Sequence, residues 1–178
     1  ILHLILLHAA IGLTSFDALI TLLADFQYKE IIAVPLAIGL MNATRAVGLM
    51  IGPFIIGKII SKDNLHYFFI LQGVAIIFWS TMEYNFYLGL FALFITGFFI
   101  TTLWSYTYLL IQEETEEKYM GRVISYNDMF FMLSNVATAL FIGYASKDGV
   151  SLEIITMTLG FGFFFFALYY IWFKKNYL

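Results

Sequence analysis

Six long apolar stretches, joined by short polar connections, fill this 178-residue chain from end to end. That pattern constrains the fold more than any other feature. Apolar runs of about 18 residues or more are long enough to cross a bilayer, and only helices or closed barrels satisfy their own backbone there. The stretches run from about Leu2 to Ala24, Ile31 to Ile60, Tyr67 to Met82, Phe86 to Ile111, Val123 to Ala145 and Leu152 to Phe173. Pro53 offers a kink in the long second stretch, because it removes a backbone donor. The connections are QYKE, SKDN, EYN and SKDG, plus one longer polar loop over residues 112–122. Only 12% of the residues are charged, against about 25% in soluble domains. The expectation is an all-α integral membrane protein of six spans, with residues 1–178 as one bundle and the bilayer as its first partner.

Composition removes several function classes. Without cysteine there is no disulfide framework, iron–sulfur cluster or thiolate zinc site. A net charge of −3 argues against nucleic acid as a partner. No signal peptide is visible. The chain starts without Met inside an apolar block, which reads as part of a longer protein. Orientation follows from Lys and Arg in the connections. Lys58, Lys62, Lys118, Arg122, Lys174 and Lys175 lie on one side, and only Lys29 and Lys147 on the other. This predicts that both ends are cytoplasmic, in what reads as a bacterial inner membrane.

Polarity sorts the spans. A span with a polar stripe must turn it to protein or water, whereas an apolar one can face lipid. The first span carries His3, Thr14, Asp17 and Thr21 at spacings near multiples of 3.6. The second carries Asn42 and Arg45. The fourth aligns Gly97, Thr101, Ser105, Tyr108 and Gln112, and the fifth Asp128, Asn135 and Thr138. The third holds little beyond Gln72, and the sixth is almost wholly apolar, with four phenylalanines from Phe163 to Phe166. The order polar, polar, apolar therefore occurs twice. It predicts two inverted three-helix repeats, with the third and sixth spans outermost.

Three stretches carry a resemblance to a known family. AIGLMNATRAVGLMIGPFIIGKI, with its small-residue spacing, looks like the eighth helix of the major facilitator superfamily. GKIISKDN is similar to a decayed copy of that family's loop motif G-x-x-x-D-R-x-G, lacking the Asp-Arg pair and last Gly. LLIQEETEEKYMGRVISYNDM resembles the loop and following helix of its drug and siderophore exporters. The resemblance covers essentially the whole chain. It implies that these spans are helices seven to twelve, half of a twelve-helix fold whose first six helices are the absent partner. It also implies that Arg122, Gly121 and the acidic run around Glu114 help latch a cytoplasmic gate; the alternative is ordinary positive-inside flanking with solvated acids.

Arg45 is the most demanding residue. A central Arg costs about 2.5–3.5 kcal/mol on insertion scales, so it needs an anion or water. Asp17 and Asp128 are within plausible reach. Arg45 is then either a cavity charge for an anionic substrate or proton-binding carboxylate, or one partner of an ion pair locking helices together. Asp17 and Asp128 are candidate protonation sites, because burial raises and a nearby Arg lowers a carboxyl pKa. For Asp128 a cap or hinge contact is the alternative. Asn42, Thr101, Ser105, Tyr108 and Asn135 complete the candidate set for substrate and coupling. Trp104, Tyr106 and Tyr108 either line a pocket or pack. Tyr169, Tyr170 and Trp172 read as an interfacial belt, and Gly48, Gly52, Ala139 and Gly143 as helix-packing contacts. His3 and His8 do not share a helical face, so no metal site is expected.

The function expected from this sequence is secondary active transport, by proton-coupled export of small amphipathic molecules through alternating access. No organic or metal cofactor is expected, the proton gradient being the energy source. An uptake carrier for a small anionic solute, or a six-helix channel or scaffold, is the alternative. An intramembrane enzyme is not expected, since neither a Gly-x-Ser-Gly setting nor HExxH occurs.

Overall fold

Each apolar block becomes a helix in the computed structural model, which describes residues 1–177. The helices are α1 (Leu2–Tyr28), α2 (Val34–Ile56), α3 (Leu65–Met82), α4 (Phe86–Glu113), α5 (Met120–Lys147) and α6 (Leu152–Tyr177). All six are long and apolar enough to cross a membrane, and no strand occurs among the described residues. Local chemistry sets several boundaries. Asn85 caps α4, its side chain accepting from the backbone N–H of Tyr87 at 3.0 Å and Leu88 at 3.2 Å. Pro35 stands in the first turn of α2, where a missing N–H costs nothing. Gly149 turns the chain after α5 with φ +84°, a conformation open to glycine.

α1 departs from the continuous helix expected for it. It runs as α-helix over Leu2–Ala9, tightens to a 3₁₀ segment over Ala10–Thr14, breaks at Ser15 and Phe16, and resumes over Asp17–Leu23. It ends in a π-helical turn, Ala24–Tyr28, which draws Gln27 and Tyr28 into the span rather than leaving them in the connection. The cluster Thr-Ser-Phe-Asp explains the break, because short polar side chains there compete for backbone groups. Thr14 Oγ1 donates to the Ile11 carbonyl at 2.8 Å. The break also ends the single polar face read along this span. His3 turns instead toward α6, its Nδ1 lying 2.6 Å from the Tyr169 hydroxyl.

Two close helix pairs frame the bundle. α2 packs along α4, and α3 along α6, with α3 also against α4. Glycine makes the first pair possible. A methyl at Gly48 would overlap the Phe94 carbonyl oxygen, one at Gly52 that of Phe98, and one at Gly97 that of Arg45. The second pair meets at Gly73 and Gly160, where a Cβ on Gly73 would lie 2.8 Å from the Gly160 carbonyl oxygen. Gly143 plays no such part, having nothing within 4 Å. α1 lies at the centre, touching α5 along its length and the other helices more lightly. Phe16 at its break packs at a tilt against Trp79 of α3, ring centroids 4.9 Å apart, and both are fully buried.

Exposure does not follow polarity. The most apolar windows of α3 and α6 are 50% and 39% buried, whereas those of α2 and α5 are only 17% and 11% buried. α3 and α6 each cover a face of the other, while α2 packs chiefly on α4 and α5 chiefly on α1, without extensive contact between α2 and α5. Tyr170 is likewise no belt residue. It is fully buried, and its hydroxyl donates to the Lys62 carbonyl at 2.8 Å.

Candidate functional site

The break in α1 creates the site. With Ser15 and Phe16 outside the helix, the Thr14 carbonyl accepts from Phe16 N–H at 2.8 Å and still has a lone pair to offer. Arg45 of α2 takes it, Nη2 donating to Thr14 O at 2.9 Å. The guanidinium also lies over the Phe16 ring, 5.1 Å from its centroid, a cation–π contact that replaces part of the lost hydration. Arg45 Nε is buried without a partner. The charge is thus turned inward, and it forms no ion pair among the described residues.

Arg45 borders a pocket of about 420 Å³. α1 contributes Ile11, Thr14, Ser15 and Asp17; α2 adds Arg45 and Leu49; α4 adds Ile100, Thr101 and Trp104; α5 adds Phe131 and Asn135. Neither α3 nor α6 reaches it. Half of the wall is hydrocarbon and aromatic, and the rest is one cation, one carboxylate, hydroxyls and an amide. Asp17 starts the second helical segment of α1, where a carboxylate is favoured by the helix dipole. It is exposed to the pocket and not bonded to Arg45.

Of the eight residues proposed from sequence for substrate or coupling, Asp17, Arg45, Thr101 and Asn135 meet here. Asn42, Ser105, Tyr108 and Asp128 do not line the pocket. Ser105 is exposed, and Tyr108 packs against the His8 ring at 5.6 Å. Asp128 is exposed and accepts from Asn127 Nδ2 at 3.3 Å. Neither Asp17 nor Asp128 pairs with Arg45, so the helix-locking ion pair is absent. Carbonyl and ring took its place because the α1 break supplies both.

Sequence reasoning passed over His8, which is fully buried behind the pocket wall. Its ring meets Trp104 edge-on at 4.6 Å and Phe131 at 5.9 Å, and both of those residues line the pocket. Its Nδ1 is 2.9 Å from Thr107 Oγ1, whose own hydrogen goes to the Leu103 carbonyl at 2.7 Å. His8 must therefore donate from Nδ1, which leaves Nε2 as a bare acceptor, and Nε2 has no partner. The lone signal in the sequence was a histidine inside an apolar run.

The proposed gate residues separate. At the end of the bundle that carries both chain termini, Lys62 lies 3.3 Å from Glu114 and 3.5 Å from Glu113, tying the α2–α3 loop to α4. These carboxylates, Glu114 above all, hold the Lys62 ammonium above its ordinary range. Lys174 lies 2.6 Å from Asp63 and keeps that carboxyl below its usual range. Arg122 and Gly121 are exposed; Arg122 has no ion pair among the described residues, and nothing lies within 4 Å of a Cβ on Gly121. Such exposed, solvent-screened pairs hold position more than they add stability.

At the opposite end, Glu83 is a second residue that sequence reasoning missed, sitting in the short EYN connection. It is only 2% exposed. Burial pushes its carboxyl up to about 8; the hydrogen bond from Thr156 pulls it back, and the nearby Glu153 adds to the rise. No family of proteins, curated relative or solved structure matches this chain.

Proposed function

We propose that this chain is the C-terminal six-helix half of a secondary transporter of the major facilitator superfamily. In this reading a first six-helix half covers the open side between α2 and α5. The two halves rock around the Arg45 pocket, which takes small amphipathic molecules for proton-coupled export. Both termini lie in the cytoplasm of a bacterial inner membrane. The observation that carries the reading is an inward-turned Arg45 without a carboxylate partner, lining with Asp17 a pocket that mixes apolar and polar groups. An Arg used only to lock helices would be paired. One left with free donors at membrane depth is available to an anion, to water or to a carboxylate that changes protonation.

The inverted arrangement of the two helix triplets belongs to this proposal, as do the antiport direction and the latch formed by Arg122. Uptake of a small anionic solute is the second reading, favoured by the same unpaired guanidinium. Arg45→Ala and Asp17→Asn in the full-length protein test the proposal. Both variants are expected to reach the membrane in normal amount and to lose proton-driven substrate movement in vesicles. Unchanged transport in both would remove the pocket from the mechanism. Loss in Arg45→Ala alone, with transport insensitive to the proton gradient, would favour the anion carrier.

A further inference from the structure

The Glu83 carboxyl has one oxygen hydrogen-bonded and the other without a partner. Oε1 lies 2.5 Å from Thr156 Oγ1 of α6, a hydroxyl that also lies 2.9 Å from the Leu152 carbonyl. Oε2 is buried and has no partner. The backbone of the same residue is fully engaged, its carbonyl accepting from Gln27 Nε2 at 2.8 Å and from the Tyr28 hydroxyl at 2.6 Å, both at the end of α1. Glu83 is therefore held by α1 through its backbone and by α6 through Oε1, while its other carboxyl oxygen is left without a partner. A buried carboxylate oxygen is among the costliest groups to leave unpartnered.

Glu83 is one of the residues lining a pocket of about 280 Å³, with Gln27, Ser80, Thr81, Ser151 and Glu153 among the others. The lining contains no Lys, Arg, His or sulfur atom. Ser80 Oγ donates to the Ile77 carbonyl at 2.7 Å and Thr81 Oγ1 to the Phe78 carbonyl at 2.8 Å. With their hydrogens committed to α3, these hydroxyls can offer only lone pairs. Two carboxylates and a set of neutral oxygens repel anions. They lack the imidazole and thiolate donors that transition metals prefer, and they match the oxygen ligands of small hard cations.

We infer that Glu83 and Glu153, with the hydroxyls of Ser80 and Thr81, hold one small hard cation of the Na⁺ or Ca²⁺ kind at the end of the bundle remote from the chain termini. The ion neutralises the orphaned oxygen. It ties the start of α6 to the end of α3 and the α3–α4 turn. The site is lined by none of the residues of the Arg45 pocket and does not depend on the transport reading.

The test is thermal unfolding of the whole purified protein in detergent, with NaCl or CaCl₂ titrated against choline chloride at matched ionic strength. The expected result is a rise in Tm that saturates with one of the two cations, is lost in Glu83→Gln and needs more cation in Glu153→Gln. Equilibrium dialysis of the unmodified protein with radioactive Na⁺ or Ca²⁺ should give one bound ion per chain, which keeps the test decisive even where Glu83→Gln fails to fold. Identical melting in all three salts, no bound ion in dialysis, or an undiminished response in Glu153→Gln would overturn the inference, leaving Glu83 as a protonated or hydrated structural carboxyl.

Discussion

Replacing Gly52 by alanine probes the α2–α4 crossing that presents Arg45 to the pocket. The added methyl would overlap the Phe98 carbonyl oxygen and lie 2.8 Å from its carbonyl carbon, against an ordinary contact of 3.4–4 Å. Both atoms belong to a helix backbone, so neither swings aside as a side chain would. The two helices must part, and a gap of about 0.5–1 Å forfeits a quarter to a half of each dispersion contact along it. Overpacking of this kind costs about 1–3 kcal/mol. Alanine in place of a helical glycine returns up to about 1 kcal/mol in backbone entropy. The net expectation is a loss of about 1–2 kcal/mol. Gly39→Ala and Gly143→Ala are the controls, since nothing lies within 4 Å of a Cβ at either position. They should leave stability unchanged or raise it by up to about 1 kcal/mol. Reversible unfolding in mixed detergent and SDS, followed by tryptophan fluorescence, measures all three. A Gly52→Ala protein as stable as its parent, or control variants equally damaged, would refute the crossing as described.

Two further outcomes follow from buried groups. His8→Phe removes an acceptor without a partner while Thr107 keeps its bond to Leu103, so it should hold stability within about 1 kcal/mol of the parent; a loss well beyond that in the same unfolding assay would mean that Nε2 has a partner after all. Glu83 has its carboxyl raised from 4.5 to about 8 in the folded chain. Between those values the folded state holds a proton that the unfolded state has released, so in buffer free of Na⁺ and Ca²⁺ stability should fall as pH rises across the window. Glu83→Gln should flatten that slope, and an equal slope in both proteins would show that another group titrates.

The helices were legible because long apolar runs bounded by polar turns leave the backbone few options in a bilayer. The starts of α4 and α6, at Phe86 and Leu152, fall where the sequence places them. The break in α1 was not legible, because Leu13, Phe16, Leu19 and Leu22 continue an apolar period straight through it. That single miss explains two others. It hid the Thr14 carbonyl and the Phe16 ring, the two groups that hold Arg45, and left carboxylates as its expected partners. It also broke the helical phase joining His3 to Asp17. Thr101 and Asn135 were found because polar side chains inside apolar helices have few places to go. Glu83 was overlooked because a charged residue in a three-residue turn normally faces water; only the fold shows Thr156, Gln27 and Tyr28 closing over it.

The central claim is that α1, α2, α4 and α5 enclose a water-accessible pocket bordered by Arg45 while α6 turns phenylalanine outward. The chain has no cysteine of its own, so single substitutions report cleanly. In the membrane-embedded protein, Thr101→Cys and Asn135→Cys are predicted to react with a charged thiol reagent, and Phe165→Cys and Leu168→Cys, both on the exposed face of α6, to resist it. Resistance at Thr101 and Asn135 together with ready labelling at Phe165 and Leu168 would contradict the account.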